Sequence, residues 1–122
     1  MNKQILLKLF FCFFTSAVFT VKASEVSASA HLASPDIYSV LLENDQVLVL
    51  KMTLQPGTSD NWHKHNAETV YFESGGKATI TSQKGSHTMD IPDGYTMWHN
   101  AWAHQVSNVG DTTITAIIVE RK

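Results

Sequence analysis

The sequence predicts an all-β domain, a sandwich or barrel of about eight short strands, preceded by a removable leader. Three observations predict it. From Tyr38 onward, short β-type runs alternate with residues that turn easily. The centres of these runs recur about every eight to twelve residues, the spacing of sandwiches and barrels. No stretch keeps a helical period over three turns. The composition agrees: 122 residues with 43% apolar and 16% charged suit one folded domain rather than a disordered chain.

The first element is the leader. Lys3 and Lys8 precede an apolar run from Leu9 to Val21, and Val21-Lys22-Ala23 places small residues before a polar stretch. This is the pattern of a secretory signal peptide over residues 1–23, with cleavage expected after Ala23. An uncleaved anchor is the alternative, but the run is shorter than the roughly 20 residues a membrane span needs. Lipidation at Cys12 is not expected, because bulky Phe10 and Phe11 precede it. The mature chain would begin at Ser24, in the periplasm or outside the cell. It would keep six basic and eleven acidic residues, a net charge of −5 against −2 for the whole chain. Neither value offers the basic patch that a phosphate backbone requires, so nucleic-acid binding is not expected. The only cysteine leaves with the leader, so no disulfide can staple the domain. Once cleaved, it has no segment that would hold it in a membrane.

Residues 24–36 are rich in Ser and Ala and lack apolar periodicity; they read as a flexible lead-in, with His31 an exposed tail residue. The domain proper spans 37–122. Strands are expected near 37–43, 46–54, 68–73, 77–82, 86–91, 95–99, 103–109 and 112–120. The breaks between them include Asn44-Asp45, Pro56-Gly57, Ser74-Gly75-Gly76, Pro92-Asp93-Gly94 and Gly110-Asp111. Strand 37–43 is expected at a sheet edge, where a second copy of the chain could pair, so a homodimer is anticipated.

Chemistry is concentrated in the histidines. In an extended segment, side chains at i and i+2 share one face, so His63 and His65 can chelate one metal ion from a single strand. Gly57 lies six residues before His63, Glu68 three after His65, and Gly75 seven after Glu68. A second cluster runs from Gly94 through His104 and Asn108 to Gly110-Asp111.

The order of these residues resembles the two motifs of the cupin superfamily. The first, G-x5-H-x-H-x3–4-E-x6-G, is represented by Gly57, His63, His65, Glu68 and Gly75. The second, a glycine-containing strand and turn followed by H-x3-N, is represented by Gly94, His104 and Asn108. The chain looks like a small single-domain bacterial cupin, and the resemblance implies a jelly-roll β-barrel. It further implies that His63, His65 and His104 bind one divalent transition metal (Fe, Mn, Ni, Cu or Zn), with Glu68 as a fourth ligand. Only two residues separate His65 from Glu68, where the motif has three or four. On a plain strand that odd offset would turn Glu68 to the opposite face; a loop or bulge after His65 would restore it.

Glu68 and His99 are the candidates for proton handling in such a site, and a degenerate site in which the histidines are only core residues is the plain alternative. Of Tyr71 and Phe72, at most one can line the cavity, since neighbours on a strand face opposite ways. Trp102, beside His104, is expected to close the barrel mouth or to pack across a dimer. His87 is expected on the surface. No nucleophile triad, phosphate loop or dinucleotide fingerprint is visible. The implied function is that of a metal-dependent enzyme acting on a small polar molecule, of the oxygenase, isomerase, decarboxylase or lyase type. A non-catalytic small-ligand-binding module and a structural protein with a vestigial site are the alternatives.

Overall fold

A computed structural model describes residues 17–18 and 27–122. Apart from Ala17 and Val18, the expected signal peptide lies outside the described residues, as does its cleavage point. No helix among the described residues is long and apolar enough to cross a membrane.

A single helical turn, α1 (Ala30–Ala33), is followed by β1 (Tyr38–Glu43), β2 (Val47–Leu54), β3 (His63–His65), β4 (Glu68–Ser74), β5 (Gly76–Ser82), β6 (Gly85–Ile91), β7 (Thr96–His99), β8 (Trp102–Asn108) and β9 (Ile114–Arg121). They form a five-stranded sheet in the order β1-β2-β9-β4-β7 and a four-stranded sheet in the order β3-β8-β5-β6. Every strand pairing is antiparallel. The two sheets close a jelly-roll barrel, as the resemblance implies.

The core follows from period-two patterning. In β2, Leu48, Leu50, Met52 and Leu54 point inward and the residues between them are half-exposed. In β9, Ile114, Ala116 and Ile118 do the same. These two strands pair along their whole length in the middle of the larger sheet. Val70 and Phe72 of β4, Ala78 of β5 and Ile91 of β6 complete the interior. Each buried Leu, Ile or Phe contributes about 1.5–3 kcal/mol. Phe72 faces in and Tyr71 faces out, as strand alternation requires. β1 is an edge strand with Val40, Leu41 and Leu42 exposed and a bulge between Val40 and Leu42.

Two expectations are corrected. Nine strands are present among the described residues where about eight were read, and the extra one, β3, carries the His-x-His pair. His-Lys-His has no β-branched or aromatic residue to mark a strand, and it is only three residues long. The described part of the expected lead-in is docked rather than loose. Ala30 is fully buried and Ser34 nearly so. The Lys64 N–H donates to Ala28 O at 2.9 Å, and the Trp62 indole N–H donates to Ser27 Oγ at 3.1 Å. This segment satisfies the outer edge of β3, which a composition argument does not reveal. His31 is accordingly half-buried instead of free, while His87 is exposed as expected.

The motif glycine Gly75 has a steric reason. It lies so close to β6 that a Cβ there would overlap the Ile91 carbonyl. Asn108 has a hydrogen-bonding one. Its buried side-chain amide donates to Leu54 O at 2.9 Å and Thr112 O at 2.8 Å, and its Oδ1 accepts from Gly110 N at 3.1 Å. It thereby ties the ends of β2 and β8 to the turn before β9. Asn108→Ala should therefore lower unfolding stability by about 1–3 kcal/mol, because the buried Leu54 carbonyl and the part-buried Thr112 carbonyl lose their donor. Denaturant unfolding checks this, and a loss below 0.5 kcal/mol would show that water replaces the amide.

Candidate metal centre

β3 and β8 pair in antiparallel register, with His63 directly opposite His104 and His65 opposite Trp102. Facing residues of such a pair have side chains about 5 Å apart. Alternation then turns His63 and His65 inward and leaves Lys64 outside. The three imidazoles meet in the barrel interior, edge to face, with ring centres 4.6–5.2 Å apart. Each is at most 6% exposed, and ligand nitrogens from all three lie within 4.8 Å of one another.

The hydrogen bonds fix which nitrogens face the centre. His63 Nδ1 donates to the Asn61 carbonyl at 2.7 Å, since a carbonyl can only accept. His65 Nδ1 donates to Glu120 Oε1 at 2.6 Å. Both Nε2 atoms therefore point at the centre, where they stand 2.9 Å from each other. His104 Nδ1 is buried with no hydrogen-bond partner. Two nitrogens at that distance are held together by a cation between them, a proton or a metal ion. Three buried imidazole nitrogens converging in this way suit a divalent transition metal, so the donor set fits the ion that the resemblance implies.

Electrostatics keeps these ligands available. Burial lowers His63 from 6.5 to about 4. Burial, reinforced by the neighbouring imidazoles, lowers His104 to about 2. Both are neutral at physiological pH, the form that binds metal. Asp60 is buried as well and accepts from Tyr38 Oη at 2.6 Å and from Val106 N at 2.7 Å. Burial still outweighs these bonds and raises its carboxyl from 3.8 to about 6. Asp60 Oδ2 stands 3.7 Å from His63 Nδ1, behind the closer Asn61 carbonyl.

Glu68 is placed differently from its position in the motif. The chain leaves the smaller sheet at Asn66-Ala67 and enters the larger one, so Glu68 faces the interior from the opposite wall. This break resolves the odd offset from His65. Its carboxylate lies beside Nδ1 of His65, with Oε2 at 3.1 Å, on the far side of that ring from the Nε2 atom that faces His63. The single Nδ1 hydrogen goes to Glu120, so Glu68 Oε2 is buried without a partner. Trp102 Nε1 donates to Glu68 Oε1 at 2.9 Å, and burial raises the Glu68 carboxyl. The structure thus brings His63, His65 and His104 together, with Glu68 against the far nitrogen of one of them. His99 stays outside: its ring stacks on Trp102 at 3.7 Å, and its Nδ1 donates to the Asn100 carbonyl. Trp102 is half-buried, its ring centre 3.8 Å from that of His104 in an edge-to-face arrangement, and it closes one wall of the interior.

Glu120, Asp60 and Tyr38 were missed in the sequence. Glu120 had a signal: it continues the inward phase of Ile114, Ala116 and Ile118 on β9. Asp60 sits in a loop and Tyr38 begins an edge strand, and nothing local marks either. A carboxylate behind a ligating histidine fixes its tautomer and orientation. Glu120→Ala should weaken Zn(II) or Co(II) affinity about 10- to 100-fold in competition with a chromophoric chelator. Unchanged affinity would show that His65 needs no such support. In metal-free protein, His63 and His104 stay neutral in the fold while the unfolded chain takes up protons below 6.5. Stability should therefore fall as pH drops from 6.5 towards 4. Asp60 opposes this between about 6 and 3.8, because there the folded state binds the extra proton. The acid loss should be steeper in Asp60→Asn, as thermal unfolding across that pH range would read.

By sequence, no protein-family model and no curated protein matches this chain. By structure it is similar to a cupin domain protein of Bordetella pertussis Tohama I, with 26% identity, 70% of this chain and 92% of that one covered, and a TM-score of 0.65. A Klebsiella pneumoniae protein with a double-stranded β-helix domain matches at 22% identity over 69% and 75% of the two chains, TM-score 0.55. An RmlC-like cupin family protein of Methanocaldococcus jannaschii matches at 15% identity over 70% and 78%, TM-score 0.55. With two antiparallel sheets in the same fold and the motif residues in place, the chain is a small protein of the cupin superfamily.

Proposed function

We propose that this cupin holds one divalent transition metal through His63, His65 and His104 and acts on a small molecule bound there. The observation that carries the reading is the convergence of three buried imidazoles, with the Nε2 atoms of His63 and His65 2.9 Å apart and each turned inward by an oxygen on the ring's other nitrogen. A bound ion would supply Lewis acidity and a coordination position for a ligand. The chain's own residues do the rest. Asn61 O and Glu120 orient the first two imidazoles. Glu68, the carboxyl raised by burial, is the group placed to hold or accept a proton at Oε2, which no other residue occupies. Trp102 holds Glu68 in place and shields it from solvent.

The second reading, a module that captures a small ligand without turning it over, is favoured by the placement of His99. No hydrogen bond links it to the cluster, so the expected relay of protons to the surface is not built through it. Export directed by residues 1–23 is part of the same proposal, and an N-terminus at Ser24 in protein recovered from the producing cell tests it.

Metal analysis after reconstitution should find about one divalent ion per chain in the natural protein and almost none in His63→Ala/His104→Ala. A reconstituted natural protein without metal would overturn the reading. Circular dichroism of the double variant confirms that the barrel survives.

A further inference from the structure

The barrel interior holds a small cavity of about 50 Å³ next to the histidine cluster. Its polar groups are gathered at one end, where Tyr38, His65, Glu68, Trp102 and His104 meet. The Tyr38 hydroxyl is already committed to Asp60, and the Trp102 N–H to Glu68. The rest of the lining is hydrocarbon and thioether, with Met52, Phe72, Ile80, Ile91, Met97 and Val106 prominent. No backbone or side-chain donor from these residues turns into the space. A hydroxyl or ammonium placed there would lose its water and gain no partner.

From this we propose that the ligand of the site is two-faced: a metal-binding oxygen head at the histidines and a one- or two-carbon apolar end in the cavity. The inference rests on the metal-binding reading above and narrows it. An apolar cavity of roughly 150 Å³ holds benzene, so about 50 Å³ takes about two heavy atoms. Short-chain carboxylates and their oxo or hydroxy derivatives have this shape. Sugars and polyols do not, since they would bring hydroxyls into the hydrocarbon end. The expectation of a small polar molecule is thereby sharpened: polarity is needed at the head only. The size limit is set by Phe72 and by Ala78 and Ala116, which line the same space and are fully buried or nearly so.

Two measurements test it, and they fail separately. The first uses metal-free protein under xenon pressure, observed through the methyl resonances of Met52 and Met97. Saturable shifts are expected, and they should vanish in Ala116→Val, which fills the space. The second titrates Co(II)-loaded protein with acetohydroxamate, propionohydroxamate, benzohydroxamate and glycine hydroxamate, following the cobalt absorption bands. The first two should bind at least about tenfold more tightly than the last two, the discrimination that a fitted apolar pocket gives. Phe72→Ala, which removes the whole ring from the lining, should recover binding of the benzo compound. If cobalt does not bind, the metal reading fails, while the xenon result still judges the cavity. If cobalt binds and all four hydroxamates bind alike, the metal reading stands and this inference is overturned. Absence of xenon shifts in folded natural protein overturns it independently.

Discussion

Two imidazole nitrogens held face to face in a dry interior constrain everything around them. Each is forced by an oxygen on the other side of its ring, the Asn61 carbonyl for His63 and the Glu120 carboxylate for His65. In water such a pair would turn apart or take up a proton. Here burial disfavours a proton on His63, and packing denies the turn. The fold therefore holds the two nitrogens where one cation can lie between them, and the surrounding strands keep them there.

That hold comes from both sheets. The smaller sheet sets the register, since β8 carries His104 opposite His63. The larger sheet sends two acids across from the facing wall, Glu120 from β9 and Glu68 from β4. The Asp60 loop is pinned to β8 at both its carboxylate and its backbone, with Asp60 N donating to Val106 O at 3.0 Å and Gln105 Nε2 to Asp60 O at 2.7 Å. The three histidines thus stand on strands braced from behind, which is how a precise site is made on a small scaffold.

Much of this was legible in the sequence, for stated reasons. The strands of the larger sheet announce themselves by alternation, and the three histidines by their spacing from Gly57, Gly75 and Gly94. β3 was not legible, because a strand of His-Lys-His is held by its neighbours rather than by its own propensities. The position of Glu68 was half legible. Its odd offset correctly demanded a break, but only the crossing between sheets at Asn66-Ala67 shows which nitrogen of His65 it meets. Glu120 was hidden by a habit of reading acids as surface residues, although its phase on β9 gave it away. Asp60 depends wholly on tertiary contacts with Tyr38 and Val106.

The residues ahead of the barrel carry a further implication. β3 has a strand partner on one side only, β8, and its other edge is covered by Ser27–Ser29, through Lys64 N to Ala28 O and a parallel bridge between Ser29 and Lys64. The strand that bears two of the three histidines is completed by a stretch more than thirty positions earlier, as Ser27 and Trp62 are 35 apart. This stretch works as a clasp. A polypeptide beginning at Ser24 retains it, whereas one beginning at Pro35 would leave the Lys64 amide facing solvent and the histidine strand frayed. The point at which a polypeptide of this sequence begins would thus be mechanically coupled to the rigidity of its innermost residues.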